Sequence, residues 1–132
     1  MTDRVTFKPY KSQMDYLLKQ PQGVVGRHLF KKATMIREMA RMQVGFKTGA
    51  LYASISVSGH ERTMTGQSIR IGSTLPYAHM HHEGTRPHMI SGENGGMLRF
   101  TRGGRVVYSR AVMHPGTRPN RYLSDNLIYA LT

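Results

Sequence analysis

The sequence predicts an α+β fold: a long N-terminal helix and a C-terminal helix packed on an antiparallel sheet of two β-hairpins. Three observations predict it. Val25, Leu29, Ala33, Ile36, Ala40 and Val44 recur in steps of three and four, the stripe of an amphipathic helix. Residues 51–58 and 67–73 alternate apolar and small or polar side chains, the pattern of half-buried strands. Arg102-Gly103-Gly104-Arg105 divides a further pair of apolar segments, as a tight hairpin turn does.

Taken in order, residues 1–10 are polar and basic and read as a loosely held arm, with the alternation of Val5 and Phe7 open to a short strand. Ser12 can cap a short helix that Pro21 breaks, and the long helix then spans 24–44, so that 11–46 is helical. Gly45 and the Thr48-Gly49 pair end it. Leu51, Ala53, Ile55 and Val57 share one strand face. Ile69 and Ile71 share a face of the returning strand, with residues 59–66 as the loop between. Residues 90–96 are rich in Gly, Ser and Asn and read as an exposed loop, followed by the hairpin of 97–101 and 106–113. The hairpins thus occupy 50–114. Leu123, Leu127 and Leu131 step by four and place the closing helix in 119–132. A chain of 132 residues suits one domain with a modest core.

Charge is the strongest compositional signal. Nineteen Lys and Arg face seven Asp and Glu, a formal +12, which attracts a polyanion or an acidic protein surface. The absence of cysteine excludes a disulfide scaffold and a thiolate metal site. There is no apolar run long enough to span a bilayer and no secretory leader, so no membrane partner is expected.

One tetrapeptide occurs twice. Gly84-Thr85-Arg86-Pro87 and Gly116-Thr117-Arg118-Pro119 each follow a His by two residues, His82 and His114. Pro fixes its own φ and pushes the preceding Arg toward an extended backbone, so each copy reads as a stiff corner presenting an Arg. The first lies at the end of a stretch from Tyr77 to His88, and the links that hold the two corners can fall at one end of an antiparallel sheet. The corners are therefore expected to lie close in space. At least one of Arg86 and Arg118 is expected to bond to Glu83, to the other corner or to a neighbouring subunit.

The order of short motifs resembles a known family. Thr48-Gly49-Ala50-Leu51 leads into Ser54-Ile55; Ile71-Gly72-Ser73 is followed by Tyr77-Ala78 and Glu83-Gly84-Thr85; Val112 through Gly116 is followed by Pro119-Asn120-Arg121-Tyr122-Leu123. Together these resemble the neck, or tail-completion, proteins of long-tailed bacteriophages, often labelled minor tail component. The resemblance covers residues 24–131. It implies a non-enzymatic structural protein of the virion, assembled in the host cytoplasm, that forms a ring at the head–tail junction. The ring is expected to be a hexamer in contact with head-closure and tail-terminator or tail-tube proteins, with DNA passing through it transiently. A tail terminator of the same junction is the alternative within the class, and a small basic nucleic-acid-binding module the alternative outside it. Tyr77, His81, His82, Glu83, Thr85, Arg86, His114, Thr117 and Arg118 are the expected contacts with subunits or neighbouring rings. Arg62, Arg99, Arg102 and Arg105 are the expected DNA-facing residues.

Catalytic readings are weaker. His79, His81, His82, Glu83, His88 and His114 include ligand types suited to zinc, but the His-Glu-x-x-His arrangement is absent and no metal or other cofactor is expected. Ser and His are plentiful, yet no nucleophile-elbow motif exists. The Gly-rich segments lack phosphate-loop spacing and read as turns. Tyr52, Tyr77, Phe100 and Tyr108 suit half-buried strands better than base stacking. Met35, Met39 and Met42, on the margin of the long helix, suit core or interface filling.

Overall fold

The computed structural model describes residues 5–131, which form two compact units. The first comprises the described residues up to Leu75 together with those from Tyr122 onward; the second is Pro76–Arg121. The fold is α+β, with every strand pair antiparallel. The strands form three separate two-stranded ribbons where one sheet was expected.

In the first unit, residues 5–10 have no regular structure, and Val5 and Phe7 are exposed. The first four residues of the expected arm lie outside the described residues. Helix α1 is Lys11–Lys19. Its N-cap is Tyr10, whose carbonyl accepts the Met14 N–H at 2.9 Å, so Ser12 sits inside the first turn and does not cap it. Helix α2 is Val24–Val44, as its stripe predicts; Ala33, Ile36, Ala40 and Val44 are buried along it, and Gly45 ends it.

Residues 51–54 depart from the expected strand. Helix α3, Ala50–Ser54, starts from the left-handed Gly49. Tyr52 meets Phe46 edge-on at 5.9 Å between ring centres and lies beneath the Arg41 guanidinium at 5.3 Å. The Ser54 hydroxyl donates to the Leu51 carbonyl at 2.7 Å. Alternation across so short a segment does not distinguish one helical turn from a strand, and these contacts favour the turn. Strand β1, Ser56–Arg62, pairs with β2, Gln67–Gly72, across an irregularity between Ser58 and Glu61.

The core of this unit joins Ala40 and Val44 of α2 to Ile55 and Tyr122, with Leu51, Ile71 and Leu123 packed around them. Burial pushes the Tyr122 hydroxyl pKa upward. Arg41 ties α2 to the start of the ribbon by donating to the Ile55 carbonyl at 2.8 Å.

The chain end is a 3-10 helix, Asp125–Ala130, where an α-helix was expected. Asn126, the second residue of this helix, is buried. Its side-chain amide donates to the Tyr122 carbonyl at 2.8 Å and to Gln43 Oε1 at 2.7 Å. The carbonyl four residues back thus already has a donor, and the Asn126 N–H turns to Leu123 O at 3.2 Å. The three-residue spacing continues from Leu127 to Ser124 and from Leu131 to Ile128. Leu127 and Leu131 consequently remain exposed.

The second unit begins with α4, Ala78–Glu83. It continues as one interrupted hairpin. Strand β3, His88–Ser91, pairs with β6, Ala111–His114, and β4, Leu98–Arg102, pairs with β5, Arg105–Ser109. Residues 88–91, partly assigned above to a loop, are therefore a strand. Between the two paired stretches, residues 92–97 on one side stand against residue 110 alone on the other, and the chain bends at Arg110. Gly103 and Gly104 form the tip with φ of 58° and 77°.

Candidate functional site

The two Gly-Thr-Arg-Pro corners meet in the second unit. Thr85 and Thr117 form an isolated antiparallel bridge. The Thr85 N–H donates to Thr117 O at 3.1 Å and the Thr117 N–H to Thr85 O at 3.0 Å. The two hydroxyl oxygens lie 3.1 Å apart, and Thr85 Oγ1 also accepts the Thr117 N–H at 3.1 Å.

The glycines explain why the tetrapeptide repeats. Gly84 and Gly116 have φ of 73° and 85°, the left-handed region. A Cβ on Gly84 would sit 2.5 Å from Thr117 O, and one on Gly116 would sit 2.2 Å from Thr85 O. Each corner therefore packs its glycine against the carbonyl of the other, and neither position has room for a side chain.

The surrounding histidines brace this clasp. His114 Nδ1 accepts the Gly116 N–H at 3.1 Å, which places the ring proton of neutral His114 on Nε2. His88 Nδ1 lies 2.8 Å from the Arg86 carbonyl and donates to it. The His88 and His114 rings lie 5.1 Å apart. The His81 carbonyl accepts the Asn120 N–H at 3.2 Å, tying α4 to the segment after the second corner. His82 Nδ1 lies 2.6 Å from Glu83 Oε1.

The expected contacts are thus distributed unevenly. Thr85, Thr117, His81 and His114 belong to the clasp. Glu83 faces His82 and holds neither arginine. The side chains of Arg86 and Arg118 make no hydrogen bond or ion pair among the described residues, so of the partners expected for them neither Glu83 nor the other corner is engaged by a side chain. Tyr77 caps α4 and is partly exposed. Because 78–83 is helical, His79 and His81 do not share a face, as they would in an extended strand. No three His or acidic side chains converge on a metal position among the described residues.

Of the basic residues, Arg62 ends β1 in the first unit, while Arg99, Arg102 and Arg105 lie on the β4–β5 ribbon. Arg102 stands directly opposite Arg105, and Arg99 opposite Tyr108. None of these three arginines has an ion pair among the described residues. The second unit carries seven Arg and no Lys against two Glu.

The sequence reading did not identify a groove of about 560 Å³ on the interrupted hairpin. Ile90, Leu98, Phe100 and Val112 supply its apolar wall, with Arg99 and Arg102 beside them. The period-two spacing of Leu98 and Phe100 was the available signal. Assigning Ile90 to a loop concealed its pairing with Val112.

No family model, curated protein or solved structure matches the chain.

Proposed function

We propose that this protein is a structural subunit of a long-tailed phage particle, closing into a ring at the head–tail junction that completes the neck or tail. The observation that carries the reading is the imbalance between a small core and a large apolar exterior. Ala33, Ile36, Ala40, Val44, Ile55, Ala78 and Tyr122 are the buried apolar residues, whereas Phe46, Met42, Met64, Met89, Met97 and Met113 are all more than half exposed. Such a surface is that of a subunit completed by neighbours. Rings close when one patch meets a different patch on the next copy through a rotation. The clasped corners support the reading by presenting Arg86 and Arg118, whose side chains have no partner among the described residues, on stiff backbone suited to carboxylates across an interface. The resemblance of the motif order to neck proteins supplies the location.

The test is light scattering across a dilution series combined with negative-stain imaging. Closed particles with a central hole are expected, and a uniform monomer would overturn the reading. The formal charge of +12 favours one second reading, a small basic DNA-binding module. Its signature is tight duplex binding at physiological salt by a monomer, with log affinity falling steeply against log salt through counterion release.

A further inference from the structure

We infer that the groove on the interrupted hairpin receives an extended protein segment of apolar and acidic residues, laid as an added strand along the free edge of β4. The inference is independent of the virion reading.

Three observations converge on this occupant. Among the described residues strand β4 pairs only with β5, so its outer edge offers N–H and C=O groups to an incoming backbone. Successive residues of β4 take opposite faces. Leu98 and Phe100 share the face that walls the groove with Ile90 and Val112, while Arg99 lies between them in sequence on the other face. Arg102 follows Phe100 on the groove face, two residues further on. A strand added beside β4 presents its own side chains with the same alternation, so two apolar residues enter the groove with the next residue of that face beside Arg102, and the residue between the apolar pair stands beside Arg99.

Charge then selects the residues that stand beside Arg99 and Arg102. Arg102 and Arg105 are directly opposed like charges, an unfavourable cross-strand pair that no carboxylate relieves among the described residues. Carboxylates on the incoming strand would relieve it, with Arg presenting a fork that accepts them in bidentate geometry. A nucleic acid would satisfy the arginines but leave the apolar wall facing water. The basic chain itself offers few carboxylates, so a second copy is a poor match for Arg99 and Arg102.

The experiment titrates the full chain with a fluorescein-labelled synthetic peptide of sequence Val-Glu-Val-Thr-Glu, or the same sequence reversed to suit the antiparallel register. Matched peptides carry glutamine or lysine in place of glutamate. The acidic peptide should bind about tenfold more tightly than the glutamine peptide, as two partly exposed ion pairs would give. The Arg99→Gln/Arg102→Gln variant should lose that preference while still binding the glutamine peptide as before. Phe100→Ser should weaken both peptides, with retained amide protection at Thr85 and Thr117 confirming that the unit still folds. Three results overturn the inference. The acidic and glutamine peptides could bind alike. Neither could bind while Phe100→Asp abolishes self-association, which would give the groove to a second copy. Neither could bind while a random-sequence DNA duplex binds with an affinity that Arg99→Gln/Arg102→Gln removes, which would give the arginines to nucleic acid.

Discussion

In the first unit, Ile55 and Tyr122 are 0% and 1% exposed and side chains of α2, α3 and β2 pack around them. In the second, Ala78 is the one buried residue among those described between Pro76 and Arg121. Burying one large apolar side chain contributes about 1.5–3 kcal/mol, whereas a typical hydrogen bond nets about 0.5–1.5 kcal/mol. The first unit therefore has a core that can sustain it. The second has ladder bonds, a glycine clasp and two-stranded ribbons, which are marginal in water when isolated. The lesson is that conformational specification and stability are separable. The second unit is closely specified by positions such as Gly84 and Gly116, and it is the unit with most to gain from a partner.

Ile55→Ala should produce the largest effect on this contrast. Loss of about 3–4 kcal/mol is expected from the missing side chain and the cavity left behind, measured by denaturant unfolding. Hydrogen exchange should accelerate along α2 as a consequence.

Gly116→Ala comes next, at about 2–3 kcal/mol, because a left-handed residue acquires a Cβ against Thr85 O. Its effect should stay local: faster amide exchange at Thr85 and Thr117, with α2 still protected. Equal acceleration in α2 would show that the contrast between the units is mistaken.

Asn126→Ala should cost about 1–2 kcal/mol by removing the donor to Tyr122 O and Gln43 Oε1. With the side-chain donor to the Tyr122 carbonyl removed, the last turn should gain α-helical character by NMR chemical shift.

Replacing both Arg86 and Arg118 with Lys should change unfolding free energy by under about 0.5 kcal/mol, since neither side chain has a bond among the described residues. Ring assembly should nonetheless weaken, because the planar fork is lost while charge is kept. Unchanged assembly would reduce both arginines to surface charge.

The smallest expected effect is electrostatic. The hydrogen bond from Lys19, aided by its charge and by Lys11 and Arg62, holds the Asp15 carboxyl below its usual pKa. A depressed carboxylate contributes stability above its unfolded pKa and loses it as pH falls through the folded one. Asp15→Asn should therefore flatten only the acid limb of the stability curve.

How legible these features were in the sequence follows from the range of the interactions that set them. Helix α2 was readable because its stripe is long and self-consistent. The meeting of the corners was readable because the tetrapeptide announces itself twice. Residues 51–54 were misread because Arg41 and Phe46, outside the segment, decide its conformation. The closing 3-10 helix was not readable because leucine spacing over so short a segment does not separate three-residue from four-residue bonding, and it carries no trace of the Asn126 bonds to Tyr122 O and Gln43. Strand β3 pairs with residues 20 to 26 positions away, and its His88-Met89-Ile90-Ser91 has no clear alternation of its own. At the candidate site, the repeat located the clasp, but the free state of Arg86 and Arg118 depended on geometry that the repeat does not encode.

The clasp has a final consequence, for how the chain can change length. Thr85 and Thr117 are bonded to each other, so everything between them is an excursion that leaves and returns through one fixed gate. Closing a loop costs entropy only logarithmically in its length, about 0.6 kcal/mol for each doubling. Residues could be added at the Gly103-Gly104 tip, or within 92–97, without disturbing the gate. The excursion therefore behaves as a cassette whose reach can be lengthened or shortened while its root stays in register.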